Sequence, residues 1–153
     1  MTVAYFDASA LVKLVVEEEG SALAAELWDG CDAVISSRLS YPEVRATLAA
    51  AVRDHRIPRR ALAPIERDWD RYWNAMRIIE LSEAVSRHAA ELCGVHALGG
   101  ADGVHLASAL AVARDGLEPV MAVWDQRLAA GARAAGLRVA PSPGRRRRGR
   151  PKS

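Results

Sequence analysis

The chain has 153 residues, half of them hydrophobic, and a formal net charge of +2. This composition suits one domain with its own core, and the absence of any run of about 18 apolar residues excludes a membrane-spanning segment. The first residues lack the basic and apolar regions of a signal peptide. The two cysteines, Cys31 and Cys93, fit neither a disulfide framework nor a metal-site spacing, so we expect a cytoplasmic protein.

The first half of the chain predicts short strands alternating with helices. A strand in TVAYFD ends at Asp7, and a helix follows in SALVKLVVEEEG with Gly20 as its stop. Ser21 opens a second helix, and a second strand follows in DAVISS. The long helix SYPEVRATLAAAVRDHR has Ser40 as its expected N-cap. The next helix, PRRALAPIERDWDRYWNAM, contains Pro64, which bends a helix unless the helix starts there.

The second half continues this alternation. A strand in RIIEL precedes a helix that Ser82 opens and that Gly99 and Gly100 close. A further helix, ADGVHLASALAVARDG, stops at Gly116, and a strand in EPVMAVWD, a helix in QRLAAGARAAG and a strand in LRVA follow. This order predicts a three-layer α/β/α domain over residues 1–140, with a mostly parallel central sheet of about five short strands.

Charge is unevenly distributed along the chain. Residues 141–153 contain six of the 21 basic residues and no acid, which leaves a net charge of −4 on residues 1–140. The composition of this tail cannot form a core, so we expect a disordered basic segment. Its Gly149-Arg150-Pro151 sequence is similar to an AT-hook, so contact with nucleic acid is the alternative. An acidic domain needs bound cations, a local basic face, a partner chain or the tail to approach a polyanion.

Four carboxylates are predicted at one edge of the sheet. Asp7 ends the first strand and Asp125 ends the fourth. Glu43 lies in the first turn after the second strand, and Asp102 opens a helix. The carboxyl ends of the strands are the usual site in open α/β sheets. Helix capping by each aspartate is the simpler explanation, but it does not explain their convergence. Like charges repel unless a hard cation such as Mg²⁺ is shared between them.

Four segments in chain order carry a resemblance: YFDASALVKL, SSRLSYPEVRATL, GGADGVHLASAL and VMAVWDQRLAAGARAAGLRV. They span nearly all of residues 3–140 and resemble PIN-domain ribonucleases, in particular the VapC-type toxins of type II toxin–antitoxin modules. The resemblance implies an endoribonuclease that depends on Mg²⁺ or Mn²⁺ and inhibits translation and growth. It also implies an RNA substrate such as tRNA or rRNA, a cognate antitoxin protein and a homodimer.

The resemblance also assigns roles to individual residues. It implies a catalytic quartet, which consists of Asp7, Glu43, Asp102 and Asp125. Within that quartet, Asp7, Asp102 and Asp125 are the implied metal ligands. Glu43 would bind the metal through water or act as a base, and Ser9 would support the site by orienting a carboxylate or a water molecule.

Two other functions fit part of the sequence. A phosphatase of the haloacid-dehalogenase type also places a nucleophilic aspartate, here Asp7, at the end of the first strand. That class requires a second acid two residues later, where this chain has Ser9. A non-catalytic nucleic-acid-binding module would use its carboxylates only to cap helices, and a chelator would not affect its binding.

Several further side chains have both a structural and a functional interpretation. For His105, a packed or hydrogen-bonded role is favoured over a role in the site. Trp69 and Trp73 are expected in a core or an interface, with stacking on RNA bases as the alternative. The helix pair that carries them is the expected surface for a second copy or an antitoxin. Arg38 and Arg45 flank Glu43 and are expected on the surface, with phosphate binding as the alternative.

Overall fold

The computed structural model of the chain describes residues 1–143. These residues contain one five-stranded sheet in the order β3-β2-β1-β4-β5, in which every neighbouring pair is parallel. The strands are β1 Val3–Phe6, β2 Ala33–Ser37, β3 Arg77–Ile79, β4 Val120–Ala122 and β5 Arg138–Ala140. The helices are α1 Ala8–Val15, α2 Ser21–Asp29, α3 Ser40–Arg53, α4 Arg59–Ala75, α5 Glu83–His96, α6 Gly100–Arg114 and α7 Gln126–Ala134.

Helices cover both faces of the sheet, which confirms the predicted three-layer fold. In β1, Val3 and Tyr5 pack in a cluster with residues of α5, α6 and α7. The intervening residues, Ala4 and Phe6, pack in a second cluster with residues of α1 to α4. All four residues are buried. A strand that is covered on both faces is apolar throughout rather than alternating, as β1 is.

The predicted N-cap at Ser82 is confirmed, whereas Ser40 is the first residue of α3 and not its N-cap. Ser82 accepts a hydrogen bond from the backbone N–H of Val85 at 3.2 Å. The residue before α3 is Leu39, which provides no side-chain cap. Ser40 is instead fully buried, with its hydroxyl 2.7 Å from that of Ser36 at the end of β2. The Ser40 hydroxyl therefore ties α3 to the sheet.

Two predicted helix ends were also wrong. The α1 helix ends at Val15, and Gly20 directly precedes α2 instead of ending α1. The α5 helix ends at His96, because Ala97 takes the left-handed conformation with φ 53° that a glycine was expected to supply. Pro64 lies inside α4, which begins at Arg59, so that helix does not start at the proline.

The sequence predicted neither a membrane-spanning helix nor a disulfide bond. Among residues 1–143, no helix combines the length and the apolar character needed to span a bilayer. Cys31 and Cys93 are both free thiols. The last strand ends at Ala140, while most of the predicted basic tail, including its AT-hook-like sequence, lies outside the described residues.

Candidate active site

Asp7 follows β1 directly and begins α1. Its Oδ1 accepts a hydrogen bond from the backbone N–H of Ala10 at 2.9 Å. The hydroxyl of Ser9 lies 3.1 Å from each carboxylate oxygen and donates to them. The side chain is only 4% exposed, and this burial raises its pKa, to which the nearby charge of Asp102 adds. Capping and membership of an acidic cluster therefore coexist at Asp7.

Asp125 follows the neighbouring strand, although β4 ends at Ala122, three residues before the end predicted from the sequence. Phe6 of β1 and Ala122 of β4 are partners in the parallel register, so Asp7 and Asp125 follow adjacent strand ends. Asp125 begins α7, where its Oδ1 accepts a hydrogen bond from the backbone N–H of Leu128 at 2.8 Å. Its carboxylate is exposed, which leaves it accessible to a ligand.

Capping does not account for Asp102. The residue before α6 is Gly99, and Asp102 lies two residues into the helix without a side-chain cap bond. Its side chain is partly buried. Burial raises the pKa of this carboxyl, and the charges of Asp125 and Glu43 raise it further. The start of α6 therefore places Asp102 where the charges of Asp125 and Glu43 act on it.

Glu43 reaches this cluster from the first turn of α3. Its Oε1 lies 2.7 Å from Nε2 of His105, which is one turn beyond Asp102 on α6. The other ring nitrogen of His105, Nδ1, lies 2.8 Å from the hydroxyl of Tyr5 in β1. The expected hydrogen-bonded role of His105 is thus what the structure contains, and one partner is a predicted site residue.

Tyr5 also belongs to the hydrogen-bonded group around His105, and its position in the sequence did not predict this role. Tyr5 is fully buried, and burial raises the pKa of its hydroxyl well above the ordinary value, with further contributions from Asp7 and Glu43. The available signal was a hydroxyl in an otherwise apolar strand. It is easily overlooked, because tyrosine is a common strand residue.

The serines at the end of β2 have structural roles. The hydroxyl of Ser36 donates to the backbone carbonyl of Phe6 at 2.7 Å, which joins β2 to the end of β1. The hydroxyl of Ser37 accepts from the backbone N–H of Leu39 at 3.1 Å and stabilises the turn into α3. Both side chains are fully buried. Together they fix the strand ends from which Asp7 and Glu43 extend.

Trp124, the residue before Asp125, is held in place by contacts on two sides. The Nζ of Lys13 lies 5.0 Å from the centre of the Trp124 ring. The same ring packs against Gly20, where a Cβ atom would lie 2.7 Å from Nε1 of Trp124. Gly20 also has a φ of +90°, which side-chain-bearing residues rarely adopt. The loop before α2 therefore packs tightly beside Asp125.

The arginines and tryptophans around Glu43 are engaged within the protein. Arg38 pairs with Glu80, and Arg45 pairs with Glu66. Both arginine side chains lie on the surface, as expected from the sequence. Trp69 is fully buried, with its ring centre 5.6 Å from that of Trp73. These contacts favour packing over stacking on RNA bases.

The donor set suits a hard divalent cation. All four predicted residues offer carboxylate oxygens, the ligands that Mg²⁺ and Mn²⁺ prefer. Burial raises the pKa of Asp7 and of Asp102, and repulsion adds to it, from Asp102 at Asp7 and from Asp125 and Glu43 at Asp102. A cation would relieve this repulsion. Within residues 1–143 no three potential ligands already surround one point, so binding would require side-chain rotation.

The comparisons with known proteins agree with this architecture. The PIN domain model matches residues 4–115. Ribonucleases VapC45 and VapC49 of Mycobacterium tuberculosis (strains CDC 1551 / Oshkosh and ATCC 25618 / H37Rv) are each 61% identical over 142 residues. The matches cover 93% of this chain and 97% of each relative.

Two solved structures share the fold at lower identity. Mycobacterium tuberculosis VapC20, a sarcin–ricin loop cleaving toxin, has a TM-score of 0.62 at 17% identity and covers 89% of this chain and 96% of its own. A toxin–antitoxin complex from Klebsiella pneumoniae has a TM-score of 0.53 at 20% identity and covers 76% and 83%. The family match and the close relatives span most of the sequence, and they confirm the resemblance to VapC-type proteins. This chain belongs to the PIN-domain family.

Proposed function

We propose that this chain is a divalent-metal-dependent endoribonuclease and the toxin of a toxin–antitoxin pair, which cleaves RNA and thereby inhibits translation and growth. The observation that carries the proposal is that, beyond the rise from burial, Asp102 raises the pKa of Asp7, and Asp125 and Glu43 raise that of Asp102, although the four carboxylates come from four separate segments of the chain. The relatives VapC45 and VapC49 are named ribonucleases, which supports RNA as the substrate class.

The carboxylates divide into ligands and a base. Asp7, Asp102 and Asp125 would hold one or two Mg²⁺ or Mn²⁺ ions. A bound divalent ion would offset the charge of the RNA phosphate and promote ionisation of the attacking water. Glu43 is the remaining acid, and its partly exposed carboxylate can accept a proton from that water or bind the ion through water. Ser9 holds both oxygens of Asp7 and so fixes the direction of that ligand.

A hydrophobic groove beside α3 and α4 supports the partner part of the proposal. It has a volume of about 460 Å³ and is lined by Arg38, Leu39, Tyr41, Pro42, Trp73 and Leu81. Leu81 is 49% exposed. We assign this groove to contact with a second copy of the chain or with the antitoxin. The related fold from Klebsiella pneumoniae comes from a toxin–antitoxin complex.

The decisive experiment compares Asp102→Asn with Asp115→Asn, since both aspartates belong to the α6 segment and Asp115 lies exposed at its far end. Purified proteins are incubated with tRNA and rRNA in Mg²⁺ or Mn²⁺. We expect wild-type protein and Asp115→Asn to cleave RNA, and Asp102→Asn to lose at least about 100-fold of the rate. EDTA should abolish cleavage by the active proteins.

Two results would contradict the proposal. One is the failure of wild-type protein to cleave either RNA with any divalent ion. The other is cleavage by folded Asp102→Asn at the wild-type rate after contaminating nuclease has been excluded. Binding of RNA that is specific, insensitive to EDTA and never followed by hydrolysis would favour the non-catalytic alternative.

A further inference from the structure

We propose that Tyr5 and His105 are positioning residues for Glu43: the imidazole donates from Nε2 to Glu43 and fixes its carboxylate in the candidate site, while the tyrosine hydroxyl bonds to Nδ1 and holds the ring in place. The inference rests on the proposed function, in which Glu43 acts on the attacking water. It adds two residues that the motif-based prediction of the site did not assign.

The proposal begins with a continuous chain of hydrogen bonds that joins three elements of the fold, β1, α6 and α3. Tyr5 in β1 contacts Nδ1 of His105 in α6 at 2.8 Å, and Nε2 of the same ring contacts Oε1 of Glu43 in α3 at 2.7 Å. Tyr5 is 0% exposed and His105 is 2% exposed, whereas the Glu43 side chain is 29% exposed. The chain of bonds thus starts in the core and ends at a carboxylate that solvent can reach.

The direction of the protons follows from the chemistry of the end groups. A tyrosine hydroxyl carries its proton at neutral pH and can donate to Nδ1 of His105. An ionised Glu43 has no proton to give and accepts only, so Nε2 must carry hydrogen. A neutral ring with hydrogen on Nε2 has an acceptor at Nδ1, which matches the Tyr5 hydroxyl. The other neutral tautomer would set two acceptors against each other at the Glu43 end.

This arrangement fixes one oxygen of Glu43 and leaves the other available. A glutamate side chain samples several rotamers when it is free. The bond from His105 to Oε1 selects one of them and leaves Oε2 to meet a water molecule or an ion-bound water.

Two substitutions of His105 separate its donor function from its volume. In His105→Gln the side-chain amide nitrogen can occupy the position of Nε2 and donate to Glu43. In His105→Asn the amide reaches only the position of Nδ1, so the bond to Glu43 is lost. Tyr5→Phe removes the hydroxyl alone and keeps the packing of the ring.

The kinetic measurement uses full-length proteins, RNA and a saturating divalent ion. We expect His105→Asn to lower kcat by about 10- to 100-fold with little change in KM, and Tyr5→Phe to lower it by about 10-fold, as is typical for partners that orient a site residue. His105→Gln should restore most of the rate. Equal rates for His105→Asn and His105→Gln, or a wild-type rate for His105→Asn, would overturn the proposal.

A second measurement requires neither RNA cleavage nor a folded His105 variant. Nitrogen NMR of the imidazole ring in the wild-type protein reports which nitrogen carries hydrogen. We expect hydrogen on Nε2 only, both in the wild-type protein and in Tyr5→Phe, because the Glu43 carboxylate accepts from Nε2 in both. Hydrogen on Nδ1, whether alone or together with Nε2, would overturn the proposal. If wild-type protein cleaves no RNA, the proposed function fails, and the ring measurement still decides whether His105 donates to Glu43.

Discussion

The carboxylate of Asp7 is hydrogen-bonded to the backbone N–H of Ala10 at 2.9 Å, so one buried side chain both begins α1 and belongs to the acidic cluster. An aspartate is well suited to this double position because it has two oxygens, and the cap engages Oδ1. The cost is a carboxylate held out of water, which is why its pKa is raised. Folding and catalysis therefore place opposite demands on this residue.

Asp7→Asn is expected to separate these demands. Asparagine is as good an N-cap as aspartate, and it removes the buried charge, so thermal stability should be retained or increased. RNA cleavage should fall by at least about 100-fold, because an amide is a poor ligand for a hard cation. Asp29→Asn, at the exposed end of α2, is the matched control and should leave both properties unchanged. A large loss of stability in Asp7→Asn would contradict this interpretation.

The raised pKa values predict a pH dependence of stability in the absence of divalent ions. In the folded state the pKa values of Asp7 and Asp102 are raised above the ordinary value of 3.8, so both side chains bind protons more tightly there than in the unfolded chain. Their stabilising contribution is complete below that value and is lost as pH rises through the folded pKa. Urea unfolding in EDTA should therefore show that the contribution of these two groups to the free energy of unfolding decreases as the pH rises from about 4 to about 7.

Two comparisons test the origin of that decline. Asp7→Asn and Asp102→Asn should each make the pH dependence shallower, since each removes one of the titrating groups. Added Mg²⁺ or Mn²⁺ should stabilise the wild-type protein at neutral pH by about 2.7 kcal/mol when its concentration is 100 times the Kd. An unchanged pH profile in both variants would show that other groups cause it.

Gly20→Ala is expected to disturb the ring beside Asp125. The substitution combines an unfavourable φ with a methyl group that would lie 2.7 Å from Nε1 of Trp124. Gly136→Ala is the matched control, because Gly136 has a φ of +91° but has no atom within 4 Å of the added Cβ. We expect a loss of about 1 kcal/mol in the control and at least about 2 kcal/mol in Gly20→Ala, measured by urea unfolding. Equal losses would exclude a contribution from Trp124.

Leu81→Glu is expected to weaken association through the groove beside α3 and α4. Leu81 is 49% exposed, so the change should leave folding and RNA cleavage intact while it places a charge in an apolar contact. Val95→Glu, on α5 and 75% exposed, is the control. Sedimentation and copurification with the antitoxin should show weaker assembly for Leu81→Glu alone. Equal assembly of the two variants would exclude the groove as an interface.

Removal of residues 141–153 tests the basic tail. The tail contributes six of the basic residues, while the rest of the chain has a net charge of −4. If it binds RNA phosphates, the truncated protein should bind RNA more weakly, with a salt dependence that is shallower by about 0.7 per lost phosphate contact. Binding is measured at several salt concentrations with Asp102→Asn, which should not cleave the RNA. Identical salt slopes would remove the tail from the binding surface.

Local sequence patterns were sufficient for the sheet and for the positions of two acids. All five strands lie in the predicted segments, because strands covered on both faces read as short apolar runs. Asp7 and Asp125 were placed from the ends of two such runs. Helix ends were harder, as Ala97 shows: an alanine holds the left-handed conformation that the pattern assigned to a glycine. Tertiary packing decides such positions, and it leaves little trace in nearby residues.

The hydrogen bonds that join Tyr5, His105 and Glu43 could not be predicted from the sequence, for a different reason. Its bonds join residues that are 100 and 62 positions apart. The spacing of residues along one helix can place His105 on the same face as Asp102. It does not show which side chain on another element will meet the ring, because that depends on how α3 and α6 pack against the sheet.

The central position of β1 has a consequence for the timing of synthesis. The chain makes β1 first and pairs it with β2 early, but the other edge of β1 waits for β4, which begins at Val120. Until that segment emerges from the ribosome, the acidic cluster lacks Asp125, and one side of the first strand has no partner. Under the proposed function, a nascent chain should therefore be unable to cleave RNA until nearly the whole domain has been made.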